Sequence, residues 1–590
     1  MSAAAYSGAE IVKICPNVSD IVRITARKAG HRRALVFEGQ SWTYAQLDAA
    51  IDRFAASLSA LQLPRPSVVS IFTESVPELI IAYLGTARAG HVTNIVNGTL
   101  QGPEVAFILA DSNTRVFVTD GARWRLLANR HDLPETLERV LVAPAPGDGP
   151  WPARWARPQT ETFSSFLNGS SARPHHEELA EALADELDEK LAGKPGVKLA
   201  RNLAGKLSGE PDRLNSQPEA VPVGLFESWT PDPDALSTLM YTSGTTGKPK
   251  GVMLSHRNIV DNATRFAAIH YGPDDRLAIG APLFHCWGLI NGALAIFWAG
   301  GTALILRRFR TEEALELVRR EQATQFLGVA AMYRFMLRAP GSREALASLK
   351  VAHSAAAPTP VELIERLRGD FGIQYAESYG LTETSPVITT THWSETRPGS
   401  CGRAVGDTEL KVVSPDGTPA PPGEVGELWA RGTAIMLGYW RRPDATRQAI
   451  TPDGWFKTGD LVRMDEDGYV YIVDRVKDMI NVAGEKVYPR EVEEVLHAHP
   501  DVADAAVVGI PHPDKGEVPK AFVVRKPGAG VSADDLIAYC RERLARYKVP
   551  AEVEFVEEIP RSASGKTLRR QLRVESAAQP VAQTSEAERS

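Results

Sequence analysis

The first strong pattern in the chain predicts a helix that begins near residue 43. Thr43 and Gln46 have the spacing of a capping box, in which each side chain binds a backbone N–H of the other residue. The apolar residues behind them repeat at helical intervals: Leu47, Ile51, Phe54, Ala55 and Leu58. The pattern is typical of a helix that buries one face.

Strand-like and helical patterns then alternate. Val68–Phe72 and Arg115–Thr119 are short apolar runs typical of strands. We predict that Ser75 and Pro77 open a helix between them and that Gly90 closes it. Strands separated by helices indicate parallel β-α-β construction.

A long uncharged stretch, Cys286–Leu306, superficially resembles a membrane span, because two arginines follow it. Adjacent glycines at 300 and 301 divide the stretch into a helix-like part, Leu289–Ala299, and a strand-like part, Thr302–Leu306. We therefore predict a buried helix, a turn and a strand, and no transmembrane segment.

Residues 145–232 interrupt the alternation and are interpreted as an insertion. Their first part is rich in Pro, Gly and Trp, and leucines four residues apart predict an amphipathic helix over 177–192. A basic stretch follows, so the charge changes sign along the insertion. It either packs on its own domain or contacts a carrier protein or an anionic surface.

Composition limits the class of protein. The chain has 590 residues, 43% hydrophobic and 24% charged, which is typical of a globular protein with several cores. The net charge of −7 gives the chain no overall positive field, so we do not expect nucleic acid to be its main partner. Four widely spaced cysteines argue against a disulfide framework or a zinc site. The start of the chain lacks a signal-peptide pattern, so we expect a cytoplasmic protein.

Hydroxyl groups, glycines and lysines are concentrated in Tyr241–Gly251, between two apolar runs. Glycines let backbone N–H groups converge on an anion, hydroxyls donate further hydrogen bonds and lysines balance charge. The spacing is not that of the common nucleotide P-loop, because Pro249 follows Lys248 where a magnesium-binding hydroxyl should stand. We predict a polyphosphate site formed by Thr242, Ser243, Gly244, Thr245, Thr246, Gly247, Lys248 and Lys250.

This stretch resembles the phosphate-binding signature of the adenylate-forming superfamily, which includes acyl-CoA synthetases, peptide-synthetase adenylation domains, firefly luciferase and fatty acyl-AMP ligases. Further motifs of that family follow in its order. Pro282–His285 is similar to a segment whose histidine lies beside the carboxylate pocket, which implies this place for His285. Ser354–Pro358 resembles the segment that packs against adenine, which implies contacts from Ala356 and Ala357.

Tyr375–Pro386 is similar to the family motif Tyr-Gly-x-Thr-Glu. The resemblance implies that Thr382 holds the α-phosphate and that Glu383 binds Mg²⁺, an ion that prefers one or two carboxylates together with phosphate oxygens. It also implies nucleotide contacts from the residues that precede them: Glu377, Ser378 and Tyr379.

Trp455–Asp460 resembles the motif whose aspartate binds the ribose, and a carboxylate can accept hydrogen bonds from both hydroxyls of a cis-diol. In the segment that follows, Asp474 stands where the family usually has glycine. The resemblance implies that Arg475 bonds the ribose and that Lys477 is the hinge of a small C-terminal domain.

Two motifs of that domain are similar to the family's. Lys566 lies on the last Gly-Lys motif, and Gly484, Glu485 and Lys486 resemble the version found in CoA ligases. In the family the domain presents the lysine loop for adenylation and then rotates to present the other face, which helps line a tunnel for a thiol.

The resemblance implies an α/β fold with a large N-terminal domain of stacked β-sheets, flanking helices and a β-rich subdomain over 1–475, which binds ATP and the acid. A small mobile α+β domain over 476–573 and a disordered tail over 574–590 complete the chain. The resemblance also implies a two-step reaction. A carboxylic acid is first converted with ATP to acyl-AMP and pyrophosphate, and the acyl group is then transferred to the thiol of CoA. A carboxylate is already a nucleophile, so the site must chiefly neutralise charge, through lysines and Mg²⁺.

Other hypotheses remain open. The acyl-AMP could be passed to an acyl carrier protein rather than to CoA. A phosphotransferase or NTPase would instead release ADP, and any enzyme fold can host an inactive binding module. The acid itself is open between a medium or long-chain fatty acid and an aryl acid.

Overall fold

The computed structural model describes residues 13–127, 130, 132–143, 159–168, 229–242, 249–357, 359–476, 478–483, 485–561, 567–569 and 571–573. The helix predicted over 177–192 and the tail predicted over 574–590 lie outside these ranges.

The helices are α1 Asp20–Ala29, α2 Tyr44–Ala60, α3 Pro77–Arg88, α4 Gly102–Asp111, α5 Gly121–Arg125, α6 Phe163–Leu167, α7 His256–His270, the π-helix Trp287–Leu294, α8 Ala295–Ala299, α9 Thr311–Glu321, α10 Ala330–Arg338, α11 Ser342–Ala345, α12 Val361–Phe371, α13 Pro443–Ala449, α14 Pro489–His497 and α15 Ala533–Arg541, with 3₁₀ turns Thr382–Thr384 and Arg546–Lys548.

The strands are β1 Arg33–Phe37, β2 Gln40–Thr43, β3 Val68–Phe72, β4 Val92–Ile95, β5 Thr114–Asp120, β6 Arg139–Ala143, β7 Gln159–Thr162, β8 Leu236–Thr242, β9 Lys250–Ser255, β10 Arg276–Ile279, β11 Thr302–Ile305, β12 Gln325–Gly328, β13 Val351–Ser354, β14 Gln374–Gly380, β15 Val387–Thr390, β16 Arg403–Ala404, β17 Glu409–Val413, β18 Val425–Arg431, β19 Gly438–Tyr439, β20 Phe456–Met464, β21 Val470–Arg475, β22 Ile480–Val482, β23 Glu485–Val487, β24 Val502–His512, β25 Gly516–Arg525 and β26 Glu552–Phe555.

Two large sheets form the body of the molecule. Among the described residues, one has nine strands in the order β16-β15-β14-β13-β12-β10-β11-β1-β2, and the other has eight in the order β19-β9-β8-β4-β3-β5-β6-β7. The strands β12, β13 and β14 run parallel, as do β4, β3 and β5. Apolar side chains from both sheets and from the helices between them form one continuous core. The predicted α/β class with stacked sheets and flanking helices is confirmed.

Two smaller sheets follow in sequence. The four strands β17-β18-β20-β21 pair antiparallel and form the β-rich part. The last sheet has the order β23-β22-β25-β24, with β26 beside β25, and the helices α14 and α15 contribute to its separate core. This is α+β construction, as predicted for the end of the chain.

The capping box predicted at Thr43 is present. The Gln46 N–H donates to the Thr43 hydroxyl at 3.2 Å, and the Thr43 N–H donates to the Gln46 amide oxygen at 2.9 Å. The prediction that Ser75 helps open α3 is wrong, because its hydroxyl accepts from the Leu283 N–H at 2.9 Å and the helix starts directly with Pro77. The hydroxyl therefore ties α3 to the segment before the π-helix.

The uncharged stretch is a buried helix, turn and strand, as predicted. The π-helix and α8 are followed by Gly300 in a left-handed conformation, φ 80°, and then by β11. A residue without a Cβ adopts this conformation at little cost. Among the described residues, no helix combines the length and apolar character that crossing a membrane requires.

A buried group of charges holds α2 against α3. The guanidinium of Arg88, which is fully buried, donates to Asp48 at 2.7 Å and to Asp52 at 2.8 Å. The carboxylates therefore satisfy a cation that could not be buried alone.

Candidate active site

The two ends of the predicted polyphosphate site lie side by side. Thr242 ends β8 and Lys250 begins β9, and these residues are partners in an antiparallel pair. Residues 243–248 between them lie outside the described part of the chain, so the roles of Ser243, Gly244, Thr245, Thr246, Gly247 and Lys248 stay predictions. At Gly251, which follows, a Cβ would lie 3.0 Å from the Tyr241 ring and 3.2 Å from the Trp440 Cβ, so a larger residue there would have to displace these side chains.

Glu383 and Lys250 both contact Tyr439. The Tyr439 hydroxyl donates to the Glu383 carboxylate at 2.9 Å, and the Lys250 ammonium lies 5.2 Å from the centre of the same tyrosine ring. The pairing of β19 with β9 brings Tyr439 there. The Glu383 carbonyl accepts from the Met436 N–H at 2.9 Å, which fixes the backbone. A carboxylate and a cation that share one tyrosine as a neighbour suit a site for magnesium and phosphate.

Cys286, which follows His285 in the chain, contacts Thr382. The Cys286 sulfur lies 3.8 Å from the Thr382 hydroxyl. Burial lowers the pKa of His285 to about 4, so the ring is neutral at pH 7, and its Nε2 has no partner among the described residues. The π-helix begins directly after Cys286, and such helices occur frequently at functional sites. These side chains can hold an acid without adding a charge.

The predicted ribose residues meet in one group. Asp460 in β20 and Arg475 in β21 are cross-strand partners, with a guanidinium–carboxylate distance of 3.3 Å. The Tyr379 hydroxyl donates to the other Asp460 oxygen at 2.6 Å. Asp460 is 4% exposed. Burial of Tyr379 and the nearby charge of Asp460 both raise the pKa of the Tyr379 hydroxyl, so it stays protonated and can donate. An aromatic ring, a carboxylate and a guanidinium thus lie together, a set that suits a nucleoside.

The adenine segment and β14 are adjacent. Ala356 has φ 70°, a conformation that few residues other than glycine adopt, and it lies with Ala357 in the loop after β13. Strained backbone of this kind clusters at functional sites. In the next strand, the Glu377 N–H donates to the Thr391 hydroxyl at 2.8 Å, and the Ser378 hydroxyl lies 2.8 Å from that of Thr390.

Glu377 is buried and carries a perturbed carboxyl. Burial raises its pKa to about 7, against the hydrogen bond from the Tyr375 hydroxyl and the charge of Arg490, which lower it. The Tyr375 hydroxyl lies 2.6 Å from the carboxylate. The charge of this carboxyl therefore depends on Arg490 of α14 as well as on its burial.

The C-terminal motifs are described only in part. Lys477, Gly484 and Lys566 lie outside the described residues. Glu485 and Lys486 lie exposed in β23. The Arg490 N–H donates to Asp474 at 2.9 Å and its guanidinium to the Ile472 carbonyl, so α14 is attached to the end of β21. Asp474, which stands where the family usually has glycine, therefore accepts a hydrogen bond from Arg490.

Sequence reasoning missed several residues that hold the site. No functional role was predicted for Tyr439, although it contacts both Lys250 and Glu383. Thr390, Thr391 and Arg490 carried no signal in the sequence. The two threonines lie close to Glu377 and Ser378 because β15 pairs with β14, and this pairing is known only from the structure.

A cavity of about 510 Å³ lies beside the site rather than in it. Its walls come from the end of α7, from β15 and β16, and from the turn between β20 and β21. Thr390 and Thr391 are the only described residues that both line it and bond the predicted nucleotide motif. It is therefore separated from the site by one strand.

Comparison with known proteins agrees with this geometry. Residues 22–440 match the model of the family described as AMP-binding enzyme. The chain belongs to that family. Residues 491–566 match the AMP-binding enzyme C-terminal domain. The resemblance to the adenylate-forming superfamily is thus confirmed.

Relatives match along nearly the whole chain. A feruloyl-CoA synthase from Amycolatopsis sp is 34% identical over 93% of this chain and 96% of its own length. A long-chain-fatty-acid–CoA ligase from Bacillus subtilis (strain 168) is 31% identical over 94% of each. The crystal structure of the anthranilate CoA ligase AuaEII with anthranoyl-AMP superposes with a TM-score of 0.80 at 25% identity, covering 98% of this chain and 100% of that one.

Proposed function

We propose that this member of the AMP-binding enzyme family is an AMP-forming acid–thiol ligase, which activates a carboxylic acid with ATP and passes the acyl group to CoA. The convergence of two sets of side chains supports the proposal. Lys250 and Glu383 suit a triphosphate with its metal, whereas Asp460 and Arg475 suit a ribose. The relatives that act on different acids with CoA agree with this class of reaction.

In the first step the carboxylate of the acid attacks the α-phosphorus of ATP. A new oxygen–phosphorus bond gives acyl-AMP, and pyrophosphate leaves with the electrons of the broken bond. No general base is needed, because the attacking oxygen carries no proton at pH 7. Thr382 would hold the α-phosphate, and the loop residues 242–250 would bind the triphosphate.

Glu383 would hold Mg²⁺, which when bound supplies positive charge to the triphosphate. Lys250 and, from the C-terminal domain, Lys566 would add further positive charge where the transition state gathers negative charge. Neutral His285 would offer the acid a hydrogen bond rather than a second cation, since its pKa is lowered to about 4.

In the second step a thiol attacks the acyl carbon and AMP leaves. We place the boundary between the two domains after Arg475, with Lys477 as the hinge and the face carrying Gly484, Glu485 and Lys486 turned to the thiol. A separate domain that closes over the site would protect the mixed anhydride from water. We also propose a cytoplasmic location, where the four buried free cysteines would stay reduced.

The experiment is a panel of fatty and aryl acids incubated with ATP and Mg²⁺, alone, with CoA and with a pantetheinylated acyl carrier protein. We expect acid-dependent pyrophosphate release in every arm and thioester only with CoA. Thioester on the carrier protein and none on CoA would contradict the choice of acceptor while leaving the adenylation step in place.

A further inference from the structure

Tyr439 contacts two residues to which the proposed function gives different roles. Its hydroxyl donates to Glu383 Oε1 at 2.9 Å, and the Lys250 ammonium lies over its ring, 5.2 Å from the centre. Lys250 ends the loop proposed to bind the triphosphate, and Glu383 is the residue proposed to bind Mg²⁺. All three residues are half-buried, so each keeps some surface that a bound nucleotide can reach. One tyrosine therefore links two parts of the site that are distant in sequence.

The backbone around Tyr439 is fixed by hydrogen bonds. β19 pairs with β9, which places Tyr439 opposite Val252. The Tyr439 N–H donates to the Thr446 hydroxyl at 2.9 Å. The N–H of the next residue, Trp440, donates to the Gly251 carbonyl at 2.7 Å. A side chain can orient a functional group only when its own position is determined by packing and hydrogen bonds. The backbone of Tyr439 meets this condition.

Asp111, at the end of α4, ties the segment after Tyr439 to the strand that leads into the loop. One Asp111 carboxylate oxygen accepts from the Tyr241 hydroxyl at 2.7 Å, and the other accepts from the Arg442 guanidinium at 2.9 Å. The Asp111 carbonyl also accepts from the Trp440 indole N–H at 3.0 Å. Tyr241 and the segment that carries Tyr439 are thus anchored to the same residue.

The hydrogen bond from Tyr439 leaves Glu383 able to bind a cation. Oε1 of Glu383 accepts from the tyrosine, whereas Oε2 accepts from no group in the described part of the chain. Burial and the nearby charge of Glu383 raise the pKa of the Tyr439 hydroxyl, so it stays protonated and donates. A bond to one oxygen restricts rotation of the carboxylate and leaves the other oxygen for a metal ion. Loss of such a partner typically lowers metal affinity or activity about 10- to 100-fold.

We propose that Tyr439 is a positioning residue for ATP and its metal: its hydroxyl orients Glu383 for Mg²⁺, and its ring holds the Lys250 ammonium for the phosphates. The inference rests on the proposed function, which assigns the metal to Glu383. The face of an aromatic ring attracts an ammonium group without using its positive charge in an ion pair. The N–H groups of Lys250 that point away from the ring can therefore donate to phosphate oxygens.

The test measures ATP binding by isothermal titration calorimetry without any acid, so that no acyl-AMP forms. Kd is measured in EDTA and in Mg²⁺, and the ratio of the two values gives the contribution of the metal. Tyr439→Phe removes the hydroxyl and keeps the ring, so we expect the ratio to fall about tenfold while Kd in EDTA changes less than about twofold. Tyr439→Leu also removes the ring and should in addition raise Kd in EDTA about two- to fivefold.

Tyr471→Phe is the matched control. The Tyr471 hydroxyl donates to Asp465 at 3.2 Å and the Arg463 guanidinium lies over its ring at 4.0 Å, so the contacts are of the same kind, but none of these residues belongs to the proposed site. This variant should leave the ratio unchanged. Thermal unfolding checks that every variant is folded.

A double variant distinguishes positioning from a general effect on the fold. Glu383→Gln removes the proposed metal ligand and should itself lower the ratio. Adding Tyr439→Phe to Glu383→Gln should lower the ratio no further, because the tyrosine hydroxyl acts through that carboxylate. A merely structural role of the hydroxyl would lower ATP affinity in both backgrounds.

The results decide the inference separately from the proposed function. A ratio that Tyr439→Phe leaves unchanged would overturn the inference, as would an equal loss of ATP affinity in Mg²⁺ and in EDTA. A further loss in the double variant would also contradict it. Equal Kd in Mg²⁺ and EDTA for the unchanged protein would refute the metal role of Glu383 and the inference with it. Pyrophosphate release is measured separately over a panel of acids, and its absence with every acid would refute the proposed function whatever the binding ratio shows.

Discussion

Replacement of Asp460 by Asn tests the proposed ribose contact most sharply. Asn keeps the shape of the side chain but removes the charge and exchanges one acceptor oxygen for a donor. The carboxylate has only 4% exposure, accepts from Tyr379 at 2.6 Å and lies 3.3 Å from Arg475. The ribose hydroxyls would then find one acceptor in place of two.

The magnitude follows from that loss. A hydrogen bond to a charged group contributes about 1.5–3 kcal/mol, and each 1.4 kcal/mol is tenfold. We therefore expect D460N to lower kcat/KM for ATP roughly 10- to 200-fold in pyrophosphate release with saturating acid. The matched control is D467N, an exposed carboxylate in the turn after β20 that pairs with Arg397 at 2.7 Å, and it should stay within about twofold of the unchanged protein.

The nucleotide 2′-deoxyATP makes the test specific to the ribose. The unchanged protein should use it much less well than ATP, whereas D460N should show little further loss, because the contact is already gone. If D460N keeps the full discrimination between the two nucleotides, or if it loses activity only through the KM of the acid, the assignment of Asp460 to the ribose is wrong.

Three further predictions concern charge. Lys566→Ala should abolish most pyrophosphate release while thioester formation from supplied acyl-AMP is largely retained; equal loss of both half-reactions would contradict the division of labour between the two domain faces. Glu377→Gln should flatten the pH dependence of stability. The carboxyl has a pKa of about 7 in the folded protein and 4.5 ordinarily, so the native state binds this proton more tightly than the unfolded state does. The Tm of the unchanged protein should therefore fall as pH rises from 5 to 8, and the Tm of the variant should not. Arg88→Met should destabilise the fold by about 3–5 kcal/mol in urea unfolding, since Asp48 and Asp52 lose a buried partner. Arg397→Met, which removes a surface ion pair, is the control and should leave the urea midpoint nearly unchanged.

The elements with strong local patterns were predictable from the sequence. The capping box at Thr43 and the glycine turn after α8 depend on residues within a few positions of each other, so their spacing in the chain determines their geometry. The class of fold followed from the alternation of strands and helices. Ser75 was assigned wrongly because its partner, the Leu283 N–H, is distant in sequence.

The candidate site was predictable as a set of residue types but not as an arrangement. Asp460 and Arg475 were assigned to the ribose separately, and only the β20–β21 register makes them neighbours. Tyr439 could not be found, because the β9–β19 pairing is needed to bring it to Glu383.

The central claim is that ATP is cleaved at its α-phosphorus by an organic acid. Phosphorus NMR of the products from ATP, Mg²⁺ and a carboxylic acid, with CoA added, tests it directly. We predict AMP and pyrophosphate in equal amounts, formed only when the acid is present. ADP with inorganic phosphate, and no pyrophosphate, would contradict the account.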